Sequence, residues 1–289
     1  MEAPHPSNDA AAPRGAPSSV AGLAAAGLDW LVPGWPVPAS VGALSTTRNG
    51  GVSTGSVASL NLGHFGAMRS GIDTPATVAQ NHRRLEAFLP SPPVWLDQAH
   101  GVKVAVLDTA SAAAMRALPP AADAAVTRDG GIVCAVLTAD CLPVVFADRH
   151  ARAVGVAHAG WRGLAAGVLA ATVAALDALG APSRDLCVWL GPAIGPRAFE
   201  VGRDVRDAFT ALDPGSADCF APHGHDKWHA DLYRLARRRL AAAGVRDIHG
   251  GGLCTFSDPT RFYSYRRDRL TGRMATLVWL ARAEAGATI

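Results

Sequence analysis

Between Thr138 and Gly163 the chain reads TADCLPVVFADRHARAVGVAHAGWRG, two short apolar runs separated by a charged turn. This segment constrains the fold most, because branched runs this short, bounded by turn formers, suit buried strands and are too short for buried helices. Taking Arg149 and His150 as a two-residue loop predicts a hairpin of Val144 to Asp148 with Ala151 to Ala157. That register sets Cys141 opposite His158 at the open end. Pro143 cannot donate to the ladder and Gly160 ends it, so both residues are expected just outside the regular pairing. Ile132 to Thr138 reads as a further buried strand, Val94 to Asp97 as a short one after the Pro92-Pro93 breaker, and Val102 to Asp108 as an alternating one. Helical spacing of apolar residues predicts helices over Pro75 to Phe88, Leu164 to Leu179, Val201 to Leu212 and Leu232 to Ala243. Strands fall in adjacent groups as well as between helices, which favours an α+β fold with mixed sheets over a doubly wound one.

Composition supports one folded domain: 49% of the 289 residues are hydrophobic and 18% charged, too little charge for a disordered chain. The first 27 residues, rich in Ala, Pro and Ser, read as a disordered extension, and residues 28–289 as the domain. A net charge of +3 falls short of the dense basic face of a nucleic-acid binder. The five cysteines are odd in number and include no C-x-x-C pair, which argues against a disulfide framework and a structural zinc knuckle and fits a reducing cytoplasm. The best apolar stretch, Leu164 to Leu176, is broken by Gly167 and Thr172, so no membrane span is expected. The apolar run Val20 to Leu28 lacks a basic flank and is followed by Asp29 and Trp30 instead of a cleavage site, so it is not read as a signal peptide.

A thiol and an imidazole brought together serve either as a nucleophile pair or as two metal ligands. Taken singly, each is more often a buried small side chain or a hydrogen-bonded core histidine. A third residue tilts the balance: His100 lies in WLDQAHG, again between two expected strands and followed by Gly. Two His and one Cys leave a fourth zinc position open, the arrangement of a catalytic site. Around this centre, Arg162 in GWRG opens a helix and Arg48 in TTRNGG precedes a Gly-rich turn, settings that suit an anion. Arg234, Arg237, Arg238 and Arg239 read as a solvated helix face. Arg266, Arg267 and Arg269 read likewise, with Phe262, Tyr263 and Tyr265 as a stacking surface for a base. His223, His225 and His229 read as an exposed loop, although H-x-H spacing also binds copper.

The runs STTRNGGVS, SLNLG, WLDQAHG, ADAAVTRDGG, TADCLP, AHAGWRG, GPAIGPRAFEVG and FYSYRRDRLTGRMATLVWL together resemble the YfiH family, long labelled laccase-domain or polyphenol oxidase proteins. The resemblance runs from about Leu28 to Leu280. It departs from the family in His64 to Thr74, which lacks an Asp-Asp pair common there. It implies a four-layer α/β/β/α arrangement in a single domain, and a metal held by His100, Cys141 and His158: zinc, with copper as the alternative. It also implies phosphorolysis of purine nucleosides (adenosine, inosine, methylthioadenosine) and deamination of adenosine, with nucleoside and phosphate as the partners of a monomer or weak homodimer. On that reading Asp140 or Glu200 shuttles a proton, Arg48 and Arg162 hold the phosphate dianion, and Asn61 of SLNLG and Glu200 lie on the substrate side. The alternatives are a copper-dependent polyphenol oxidase and a Cys-His hydrolase that edits the amino acid of peptidoglycan precursors.

Overall fold

A computed structural model describes residues 20–63 and 73–282. A six-stranded mixed sheet forms its centre, built from β2 (Val104–Val106), β3 (Ala124–Thr127), β5 (Leu142–Asp148), β6 (Val154–Ala159), β7 (Leu186–Leu190) and β11 (Asp247–Gly250) in the order β11-β7-β5-β6-β3-β2. Only its two outer pairs, β11 with β7 and β2 with β3, are parallel. A second, antiparallel sheet orders β1 (Val41–Ser45), β12 (Met274–Leu280) and β4 (Val133–Thr138) as β1-β12-β4. A third joins β8 (Glu200–Gly202), β9 (Phe220–Pro222) and β10 (Lys227–Ala230). The helices are α1 (Val20–Ala25), α2 (Pro75–Glu86), α3 (Ala112–Ala117), α4 (Trp161–Ala166), α5 (Val168–Ala178), α6 (Arg203–Thr210), α7 (Leu232–Ala242) and α8 (Tyr265–Asp268).

The period-2 alternation of the strands sorts these parts into layers. On β5 and β6, Val144, Phe146 and Ala157 pack with Leu169, Val173 and Leu176 of α5 and Leu235 and Leu240 of α7. Val145, Ala147, Val154 and Val156 point the other way, into a cluster with Val136 of β4 and Val278 of β12. The outer face of that small sheet, through Val133, Ala135 and Leu277, is covered by Leu85 of α2 and Leu23 of α1. Helix, sheet, sheet and helix thus stack in four layers, the α+β arrangement implied by the resemblance.

The hairpin forms in another register. Pro143 pairs with His158, and the loop runs from Arg149 to Arg152, with the Ala151 amide closing onto the Asp148 carbonyl and Ala151 in a left-handed conformation. The slip is two residues, so every side chain keeps its face, and Cys141 and His158 remain neighbours on one diagonal. His158 consequently lies within the ladder and is fully buried, not beyond it. The helix expected from Leu164 starts at Trp161 and divides at Gly167, whose φ of 106° is left-handed and ends α4. The strand expected over Val94 to Asp97 is reduced to single bridges, because Val94 pairs with Cys134 and Asp97 with Ala121, two different partners. Of the extension expected over 1–27, residues up to 19 lie outside the described part. The rest includes α1, which buries Leu23, so the fold begins earlier than Leu28. The segment His64 to Thr74 lies almost wholly outside the described residues. Capping fixes other helix starts: Pro75 follows Thr74, whose hydroxyl accepts from the Thr77 amide, and Asp231 caps α7 through the Arg234 amide.

Candidate metal centre

Three donor atoms converge at one end of the gap between the six-stranded sheet and the small β1-β12-β4 sheet. His158 follows Val154 and Val156 on the face of β6 turned toward the small sheet, and Cys141 stands on the matching face just before β5. His100 arrives on a loop fastened at several points. Gln98 beside it is buried and exchanges two hydrogen bonds with the backbone of Leu137, extending the β4 edge by a side chain. His100 itself takes a φ of 60°, unusual for a residue with a side chain. Its Nε2 lies 3.8 Å from the Cys141 sulfur, and the donor atoms of His100, Cys141 and His158 all fall within 4.8 Å of one another.

Asp123, at the start of β3, sets this geometry. Its carboxylate accepts the backbone N–H groups of His100 (2.9 Å) and Gly101 (2.6 Å) on one side and Nδ1 of His158 (2.8 Å) on the other. Burial pushes the Asp123 carboxyl up, but the hydrogen bonds from His158 and Gly101 and the His158 charge outweigh it and hold it below the usual range. With Nδ1 so engaged, Nε2 of His158 faces the cavity, buried and without a hydrogen-bond partner. A buried, unpartnered imidazole nitrogen beside a thiol and a second imidazole, with a carboxylate behind it, fits a borderline metal such as zinc. The Cys141 thiol suits the role: burial raises it, but the His158 charge and the hydrogen bond from His100 bring it down to about 6.

The centre forms the floor of a cavity of about 380 Å³. Its walls include Phe199, Tyr265, Arg266 and Arg273. Asp140 joins floor to wall: next to Cys141 and left-handed at φ 95°, it accepts Thr255 Oγ1 (2.6 Å), Ser264 Oγ (3.0 Å) and the Arg266 amide (2.6 Å). Arg273, just before β12, donates to the carbonyls of Thr271 and Gly272. Burial lowers its pKa against the opposing influence of Cys141 and Asp140. Among the described residues, neither Arg266 nor Arg273 forms an ion pair with a carboxylate. Two guanidinium groups therefore line one cavity without a salt-bridged carboxylate.

The other residues singled out in the sequence lie elsewhere. Arg48 donates to the carbonyls of Ala58 and Pro259 and stacks over Tyr263, away from the metal centre. Arg162 is exposed and stacks on Trp161, and α4 is a single short helix, so this end of the chain offers the cavity no cation. Asn61 is buried and accepts from the amides of Gly63 and Arg273 while donating to Asp73, a clamp beneath Arg273. The Glu200 carboxylate is exposed and pairs with Lys227 and His223; only its carbonyl touches the wall, accepting from Arg266. His223 stacks on His229 at 4.0 Å between ring centres, while His225 is exposed. Arg267, expected on a solvated face, is drawn inward to the carbonyls of Thr255, Phe256 and Phe262. The five cysteines are all free. Sequence reasoning missed Asp123, although ADAAVT belongs to the runs that carry the resemblance, and Arg273, hidden in a basic stretch.

Fold and site together define an α+β protein with a candidate three-donor metal centre, His100, Cys141 and His158, at the mouth of a sheet sandwich. Within that class the chain belongs to the YfiH family: residues 42–281 match the family described as multi-copper polyphenol oxidoreductase laccase. Curated relatives carry another name. A purine nucleoside phosphorylase of Pseudomonas aeruginosa is 54% identical over 253 residues, 87% of this chain and 98% of its own. Purine nucleoside phosphorylase YfiH of Escherichia coli K12 is 51% identical over 253 residues, 86% and 98% of the two chains. Among solved structures, a Neisseria meningitidis protein superposes with a TM-score of 0.80 at 46% identity, covering 88% of this chain and 99% of that one. YlmD of Geobacillus stearothermophilus does so with a TM-score of 0.80 at 33% identity, covering 88% and 96%. Among the described residues no helix is long and apolar enough to cross a membrane.

Proposed function

We propose that the chain is a zinc-dependent purine nucleoside phosphorylase that also deaminates adenosine, with adenosine, inosine and methylthioadenosine as its nucleosides. The observation that carries the reading is the cavity itself: an aromatic wall of Phe199 and Tyr265, two unpaired guanidinium groups, and the His100–Cys141–His158 centre share one space. A flat base stacks on the aromatic side chains. Arg266 and Arg273, not Arg48 and Arg162, hold the phosphate dianion by charge-assisted hydrogen bonds. A phosphate oxygen then forms a bond to C1′ as the glycosidic bond breaks; its electron pair leaves with the purine, which takes up a proton, and the sugar 1-phosphate remains, ribose 1-phosphate from adenosine or inosine and its 5-methylthio derivative from methylthioadenosine. The dianion, fixed beside the sugar, stabilises the positive charge that develops there. Deamination needs water to add at C6 and ammonia to leave. A zinc ion on His100, Cys141 and His158 would supply a Lewis acid for this chemistry. Asp140 and Glu200 are both committed to protein partners, so in this reading they position the wall and move no proton.

One observation favours a second reading. Cys141, His158 and Asp123 also have the order of a Cys–His–Asp nucleophile system, which would suit a thiol hydrolase acting on a cell-wall precursor. His100 supports the metal reading, since a triad has no use for a second imidazole 3.8 Å from its sulfur and a metal does. Purified protein given adenosine should release adenine only with phosphate present, should also form inosine, and should lose both activities to a chelator. Activity that survives the chelator supports the thiol hydrolase. Untouched adenosine with copper-dependent oxidation of a phenol supports the oxidase and overturns the proposal.

A further inference from the structure

A second cluster of ligand side chains lies far from the cavity. β7 and β11 run parallel at one edge of the large sheet, with Asp247 beside Cys187 and His249 beside Trp189. Residues paired in a ladder share a face, and residues two apart return to it, so Cys187, Asp247 and His249 emerge together while Ile248 turns to the helix-covered side. Their donor atoms lie within 4.8 Å of one another. The small sheet packs over β5 and β6, leaving this edge partly uncovered; the side chains of His249 and Asp247 keep 30% and 36% of their surface in contact with solvent, while Cys187 is buried beneath them. Nε2 of His249 stands 2.6 Å from the Asp247 carboxylate, a contact whose shared proton a cation can replace. Cys187 pairs with Ala147, six positions along β5 from Cys141, so the two clusters stand roughly 20 Å apart at opposite ends of the sheet.

We infer that Cys187, Asp247 and His249 form a second metal site, selective for a divalent ion of the zinc class. Thiolate, carboxylate and imidazole are together the ligand types zinc takes, and three of them leave a position open to solvent. The charges close: a divalent cation displaces the thiol proton, and thiolate and carboxylate then neutralise it while the imidazole binds neutral. All three residues sit on regular strands, so the donors are fixed before the ion arrives. Burial and the neighbouring Asp247 push the Cys187 thiol up to about 12, so an ion has to displace its proton, while the charge of Arg149, exposed on the hairpin loop, draws the thiol down and opposes an added cation. The inference does not rest on the nucleoside reading.

Elemental analysis of the dialysed full-length chain tests it. The wild type should carry two zinc per chain and Cys141→Ser one. Cobalt-loaded Cys141→Ser should keep a thiolate-to-cobalt absorption band. Because Cys187 is buried and its replacement threatens the fold, the decisive variant is His249→Gln at a half-exposed position. It should bind one zinc fewer than the wild type, and Arg149→Ala should hold its second zinc against a chelator that strips the wild type. An unchanged zinc count in His249→Gln overturns the site, and so does a Cys141→Ser protein with neither zinc nor the cobalt–thiolate band.

Discussion

Asp123 accepts from the loop that carries His100 and from the ring of His158, so one carboxylate sets two of the three donors. In Asp123→Asn the side chain offers one acceptor where two are used. Metal affinity should fall about 10–100-fold, read by competition with a chelator, alongside a loss of roughly 1–3 kcal/mol in stability from the backbone N–H groups left unpaired. Arg273 belongs to the same scale. Arg273→Ala should raise KM for phosphate well above any change in KM for nucleoside, while Arg48→Ala should leave both ratios alone and loosen the loops at Ala58 and Pro259. Initial rates at varied phosphate check both; a larger phosphate effect at Arg48 would return the anion to the residue first chosen from the sequence. The convergence of His100, Cys141 and His158 was legible because few roles need Cys and two His beside turn glycines. Asp123 was not, since an Asp before a strand is as common at a plain turn, and its importance comes from partners 22 and 35 positions away.

Gly160 shows the same dependence in the turn between β6 and α4. A Cβ there would lie 2.7 Å from the His100 ring and 3.1 Å from the Cys141 sulfur. Gly160→Ala should therefore expel the metal while the chain keeps its secondary structure, measured as zinc content beside circular dichroism. Retained zinc would show that His100 can retreat. The helices with a polar face were legible to within a few residues, as α2 and α7 illustrate. The strand β12, MATLVWL, was not recognised as one, because it is buried on both faces and shows no alternation to separate it from a buried helix. The hairpin register was misjudged for a different reason: the left-handed Ala151 allows a longer loop than the pattern of the strands reveals.

Across the whole molecule the large sheet supports both ends. Phe146, fully buried in its central strand, faces the helical layer. Phe146→Ala should cost about 3–5 kcal/mol in denaturant unfolding without altering the zinc count, since the donors lie on the opposite face. At the hairpin end, Asp148 accepts from Arg152 and from the amides of His150 and Arg152. Burial pushes its carboxyl up, yet the Arg152 and backbone hydrogen bonds hold it below its unfolded value. A carboxyl depressed by folding contributes its stability above the unfolded pKa, about 4, and loses it as the pH falls through the lower folded value. Asp148→Asn should accordingly flatten the fall of Tm on acidification below about pH 4; an unchanged slope would mean other carboxylates dominate acid unfolding. The three donors of the centre rest on β6, on the start of β5 and on a clamped loop, whereas Phe199, Tyr265 and Arg266 belong to segments joined to that floor chiefly through Asp140. Such a division separates what the cavity holds from the donors beneath it, so a substitution at Phe199 or Tyr265 changes the fit of a ligand while the three donors keep their places.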